Sequence, residues 1–212
     1  MLAVTDRDLL VIEPSVFSGA AAAATRLASG NDGVLVGTEL TSASADFESL
    51  SIQSGHVAVV NGVAVEVVQR VQPTQLQVSL PRASNADGNI APGDGTALEF
   101  QVLTFARLID QTKIQTLREL GLDPENAQQP LSESAVMSVG PLARAIALRV
   151  IARAFEKSAA IDPTDPSLAQ RAALYATQAA KAAAQAVAAI DIDGDGQTDS
   201  TRRLAVVTLV RT

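Results

Sequence analysis

Between residues 34 and 103 the apolar positions come in short β-branched runs: VLVGTELT, HVAVV, VAVEVVQRV, TQLQVSL and TALEFQVL. Gly, Asn, Pro and Asp separate them. Runs of this length and spacing predict about five strands, closed into a small barrel or a curled sheet. The sharpest local signal is HVAVV-NG-VAVEVV. Asn61-Gly62 between two alternating runs predicts a type I′ hairpin, because both central residues of that turn take positive φ. Val57 and Val59 then share one face of their strand, as do Val63, Val65 and Val67. Residues 83–95, ASNADGNIAPGDG, read as a long exposed loop.

The period on either side is helical. Thr5 followed by Asp6 and Asp8 predicts a helix N-terminus with acids facing the positive end of the dipole. Pro14 bounds that helix. Residues 15–29 are ambiguous, Ala-rich but interrupted by Gly19, and Gly30-Asn31-Asp32-Gly33 is expected to close the segment. After Phe100 the apolar positions Phe105, Leu108, Ile109, Thr112, Leu117 and Leu120 fall at helical spacing, with Gly121 as C-cap. DPENAQQP (123–130) is a linker, and Ser132 opens a second helix carrying Leu142, Ile146, Ile151 and Phe155. Gly140-Pro141 should kink that helix or break off its first turn.

A third helix is predicted from Pro166 to Ile190, with proline at its first position. Twelve of those 25 residues are Ala. Leu168, Ala172, Tyr175, Ala179, Ala182 and Ala186 form a narrow seam of small residues along it. Such a seam admits close helix–helix packing, either within its own subunit's core or against a neighbouring subunit. The ending, RRLAVVTLVRT, has strand character. The expected class is α+β: a helical bundle with an inserted small β-barrel-like module and a C-terminal β-strand arm. The divisions are 1–33 (N-terminal helical segment), 34–103 (β module), 104–190 (bundle) and 191–212 (acidic turn and arm).

Composition narrows the function classes. The 212 residues are 47% hydrophobic but only 3% aromatic, with no Trp and no Cys, and the net charge is −7. An acidic chain without a basic run or stacking aromatics argues against tight nucleic-acid binding. Zinc-thiolate sites, disulfides and thiol catalysis are excluded. Charges at Asp6, Arg7 and Asp8 predict no signal peptide, and the Ala run at 20–24 is far short of a membrane span of about 20 residues. The expectation is a soluble chain not secreted by the general route.

One stretch looks like a chemical site. In DIDGDGQTD, Asp191, Asp193, Asp195, Gly196 and Asp199 match positions one, three, five, six and nine of an EF-type calcium loop. The twelfth position, which should supply a bidentate Glu, is Arg202, followed by Arg203. Asp and Gly in that density also build a tight turn without metal. The loop is read as a turn, with a bound cation as the alternative. His56 is the chain's one histidine and has no partner for a triad, and no zincin, hydrolase or P-loop motif occurs. The sequence therefore predicts no enzyme and calls for no cofactor and no metal.

Two segments, TDRDLLVIEPSVF (5–17) and DIDGDGQTDSTRRLAVVTLVR (191–211), resemble the head–tail connector, or adaptor, proteins of tailed bacteriophages and phage-like particles. The resemblance implies a structural virion protein that is assembled in the host cytoplasm. It would form a ring of twelve subunits below the portal, with a tail or stopper protein on its other face. DNA would pass through the ring's channel without tight binding, and no membrane would be involved. It further implies that Asp191, Asp193, Asp195, Asp199, Arg202, Arg203, Leu204, Val206 and Leu209 meet the portal or a neighbour. The seam Ala172, Tyr175, Ala179, Ala182 and Ala186 would then pack between subunits. The competing class is a calcium-dependent adhesion or surface-layer module using the DIDGDGQTD loop.

Overall fold

The computed structural model describes residues 3–122 and 133–204. The expected linker 123–130, Ser132, Val206 and Leu209 lie outside the described residues. The fold is mixed α+β, with a closed antiparallel barrel of six strands and a separate two-stranded sheet. The chain divides into two compact units. One comprises Thr5–Ala106 and Ala154–Ala169. The other comprises Met1–Val4, Arg107–Arg153 and Gln170–Thr212.

The barrel unit opens with helix α1 (Asp6–Ile12) and the single turn α2 (Val16–Gly19). Thr5 caps α1, and the Asp8 carboxylate accepts the Thr5 backbone N–H at 2.7 Å and its hydroxyl at 2.9 Å. This reciprocal cap satisfies donors that the first helical turn leaves open. The barrel strands are β1 (Thr25–Val36), β2 (Glu39–Thr41), β3 (Val57–Val60), β4 (Val63–Gln72), β5 (Gln75–Ser79) and β6 (Gly95–Thr104). They close in the order β1-β2-β5-β4-β3-β6.

The chain enters the barrel at Thr25, earlier than the expected start at residue 34, and Gly30-Asn31-Asp32-Gly33 is part of β1 instead of a closing loop. The ladder to β6 shifts register between Gly30 and Gly33. Such bulges bend a strand and help a small sheet curl shut. Glycine is required at Gly30 by a close approach: an added Cβ would lie 2.6 Å from the Phe100 ring. That ring is fully buried and meets Phe47 edge-on at 6.0 Å.

The Asn61-Gly62 hairpin forms as expected, with φ of +48° and +81° and Val60 paired to Val63. Val65 and Val67 point into the barrel core, whereas Val63 is exposed. On β3 the inward residues are Ala58 and Val60. Val57 is also buried, on the opposite face, where α1 and α2 pack over β3 and α1 over β4. Phe17 meets Phe105 edge-on there, 5.2 Å between centroids. The unit therefore has two apolar layers, one inside the barrel and one between its wall and the N-terminal helices.

In the second unit, α3 (Ala106–Glu119) ends at Gly121, whose φ is +72°. The Leu122 N–H reaches Leu117 O at 2.9 Å and the Gly121 N–H reaches Arg118 O at 2.9 Å, a Schellman C-cap. Helix α4 (Gly140–Ile161), whose residues from Ala154 on belong to the barrel unit, begins at Gly140, not at residue 132, because Pro141 suits a first turn and would disrupt an interior. A short 3₁₀ turn, Glu133–Ala135, precedes it. Helix α5 (Pro166–Gln185) stops short of the expected Ile190. Residues Val187–Ile190 form β7, which pairs antiparallel with β8 (Ser200–Arg203). The last described strand is thus half of a hairpin with its own chain, not a free arm. No helix among the described residues is long and apolar enough to cross a membrane.

Candidate functional site

The acidic segment is the loop of the β7–β8 hairpin. Ala188 and Ile190 are fully buried on one face of β7, and Val136 bridges to Ile190 from the other side. This anchors the loop's base. Within the loop the aspartates act as turn formers. Asp191 accepts the N–H of Gly194 at 2.7 Å and of Gly196 at 2.9 Å. Asp193 accepts Asp195 N–H at 3.2 Å, and Asp195 accepts Gln197 N–H at 2.7 Å. Asp199 reaches back to Ile192 N–H at 2.6 Å and Asp193 N–H at 3.3 Å. Gly194 and Gly196 take φ of +81° and +82°, which Asp side chains bridging to backbone amides accommodate.

One oxygen each from Asp191, Asp193 and Asp195 lies within 4.8 Å of the others. Asp193, Asp195 and Asp199 are exposed and Asp191 is half-buried. Arg202, at the twelfth loop position, donates to Leu120 O at 2.5 Å, beside the α3 C-cap. A cation there suits the negative end of a helix dipole. Arg203 is exposed and Leu204 buried. The structure thus brings Asp191, Asp193 and Asp195 together, uses Asp199 to hold the Ile192 and Asp193 amides, and engages Arg202 at Leu120 O.

The small-residue face of α5 is largely covered within this single chain. Leu168, Tyr175, Ala179, Ala183 and Ala186 are buried, while Ala172 and Ala182 are half-buried. Ala183, absent from the predicted seam, belongs to the covered face. Leu174, at 53% exposure, is the large apolar residue that α5 presents to solvent.

The most concentrated polar arrangement lies in the barrel unit. Glu66, 1% exposed, splits its carboxylate between two arginines. Oε2 accepts Arg7 Nε at 2.5 Å, and Oε1 accepts Arg82 Nε. Arg7 also donates to Arg82 O at 2.8 Å. A second guanidinium nitrogen of Arg82, Nη1, reaches Asp87 O at 2.8 Å, Asn89 Oδ1 at 3.1 Å and Asn85 O at 3.5 Å. Neither Glu66 nor Arg82 stands out in the sequence pattern as a candidate site. The available signal was a lone carboxylate in the apolar strand VAVEVV, which must find partners if buried.

Nearby, Asp6 accepts Phe105 N–H at 2.7 Å. Burial pushes its carboxyl up to about 6, against the opposing hydrogen bonds from Thr104 and Phe105. His56 Nδ1 accepts Gln53 N–H at 3.2 Å, and burial holds its pKa below the usual imidazole value. Both groups are engaged in local structure. Comparison with protein-family models, with curated proteins and with solved structures finds no match.

Proposed function

We propose that this chain is a head–tail connector adaptor of a tailed phage or phage-like particle, a structural protein that assembles as a ring against the portal. On this reading α3, α4 and α5 act as the bundle of the subunit, and the acidic hairpin faces the DNA channel or an adjoining subunit. The observation that carries the reading is the state of the C-terminal segment that resembles such proteins. Its aspartates accept backbone N–H groups of other residues in the same loop, so the loop presents its negative charge in a hydrogen-bonded turn on an anchored hairpin. Fixed carboxylates repeated around a ring repel phosphate and let DNA slide without sticking.

The second reading, a calcium-dependent adhesion or surface-layer module, is favoured by the approach of Asp191, Asp193 and Asp195. It is weakened by Arg202, which takes the place of the twelfth ligand and is engaged at Leu120 O. Electron microscopy of particles carrying the chain is the deciding experiment. The connector reading expects density for it in a ring below the portal. Purified particles that lack the chain, or carry it elsewhere, overturn that reading.

A further inference from the structure

The Arg7–Glu66–Arg82 cluster joins two parts of the barrel unit, α1 and the loop after β5. Arg7 belongs to α1, and Arg82 stands at the base of the exposed loop between β5 and β6. A carboxylate and a guanidinium as buried as Glu66 and Arg82, at 1% and 7% exposure, are costly to desolvate. An ion pair so placed is weak support for stability, and its attested use is to fix one arrangement over others.

What it fixes here is visible in the geometry. Each Glu66 oxygen holds one arginine, and Arg7 adds a second tie to the Arg82 carbonyl. Held this way, Arg82 gathers Asn85, Asp87 and Asn89 around one nitrogen. Within the loop, Asp87 N–H reaches Ser84 O at 3.1 Å, Ser84 N–H reaches Asp87 Oδ2 at 2.8 Å and Ala86 N–H reaches Ser84 Oγ at 3.2 Å. Its residues 83–88 are exposed. The far end of the loop is tied to β5 at Ile90, by the Ser79 hydroxyl and by Leu80 N–H to Ile90 O at 2.9 Å, whereas Arg82 is the buried side chain that gathers residues 85–89.

We propose that α1 and the 83–90 loop form one coupled device, in which the seating of α1 on the barrel sets the order of the loop through Glu66. If α1 lifts, Glu66 and the Arg82 carbonyl lose Arg7, and Arg82 loses the geometry that holds its three loop acceptors. Coupling of this kind is reciprocal, so a partner that grips the loop also holds α1 down. The device does not depend on the connector reading. It applies to any partner that meets either element.

Amide hydrogen exchange on the full chain tests it. Replacing Thr5 and Asp8 by Ala removes the α1 cap without touching the cluster, and should open α1 about fivefold more often. The Glu13 amide reports α1, Asp87 and Ile90 report the loop, and Val78, bonded to Thr38 O, reports the barrel wall. The expected result is faster exchange at Glu13, Asp87 and Ile90 alike, with Val78 unchanged. In the reverse direction, Asn89→Ala removes one Arg82 acceptor and should speed exchange at Glu13. Arg7→Lys keeps the charge but loses the second tie, and should speed Asp87 and Ile90. Loop amides that stay at the parent rate in the cap variant or in Arg7→Lys overturn the proposal. So does acceleration shared equally by Val78, which would mark opening of the whole barrel.

Discussion

Asp6, the first residue of α1, accepts the Phe105 amide at 2.7 Å with only 3% of its surface exposed. Its carboxyl titrates at about 6 in the folded chain, against 3.8 as the ordinary value. Between those values the folded state holds a proton that the unfolded chain has released. The stabilisation from this group is therefore complete below about pH 4 and is lost as pH rises through about 6, a total of ~3 kcal/mol. Asp6→Asn keeps an acceptor for the amide and removes the charge. The difference in stability between variant and parent should grow in the variant's favour from pH ~4 to ~7, measured by urea unfolding. Taking the difference cancels His56, whose lowered pKa acts in the opposite direction. A difference that is flat with pH would show that Asp6 is not desolvated as described.

Gly121 serves two needs at once. Its φ of +72° closes α3, and an added Cβ would stand 2.8 Å from Arg202 Nη1. Gly121→Ala should cost roughly 1–2 kcal/mol for the left-handed backbone alone, and more if Arg202 must leave Leu120 O. The double variant with Arg202→Met should be less destabilised than the sum of the two singles, because the clash is then absent. Strict additivity in urea midpoints would sever the link between the two residues.

The sequence made the barrel legible where a local rule applied. Asn61-Gly62 demands one turn type, and alternating valines have one period, so the β3–β4 hairpin follows from a few residues. The start of β1 did not follow, since Gly30-Asn31-Asp32-Gly33 reads as a loop until Phe100 is known to need the space above Gly30. The same limit applies at the C-terminus. Ala has the highest helix propensity, so Val187–Ile190 looks like more helix until β8 offers a ladder. The aspartates of the hairpin loop were readable as turn formers. The Glu66 cluster was not, because its partners stand 59 and 16 positions away along the chain.

Ser158, on α4, is 2% exposed and its hydroxyl has no hydrogen-bond partner among the described residues. An unsatisfied buried hydroxyl costs about 1–3 kcal/mol. Ser158→Ala removes it with little change of volume and raises helix propensity. The variant should gain on the order of 1 kcal/mol, seen as a higher urea midpoint at an unchanged slope. A loss of stability would mean that the hydroxyl is satisfied in solution.

The hairpin loop supplies its own amide acceptors, and the twelfth loop position is a cation engaged at Leu120 O. Melting should therefore be the same in chelator and in millimolar calcium. A site filled at 100 times its dissociation constant would add ~2.7 kcal/mol. A calcium-dependent rise of several degrees, abolished by Asp193→Asn, would replace the turn with a metal site and favour the adhesion reading.

The α5 seam separates a core role from an assembly role. Ala179 and Ala183 are 3% and 4% exposed in the single chain, while Ala176 and Ala180 on the same helix are open to solvent. If the seam belongs to the subunit's own core, Ala179→Leu or Ala183→Leu overpacks it at roughly 1–3 kcal/mol each. That loss appears in the isolated chain, before any assembly. Ala176→Leu and Ala180→Leu add apolar surface where there is room and should leave the unfolding midpoint nearly unchanged. A role in packing between subunits gives the opposite pattern, with Ala179→Leu tolerated by the isolated chain and excluded from particles. Measuring both sets by urea unfolding and by recovery in purified particles assigns the face, since only a core role lowers the midpoint of the free subunit.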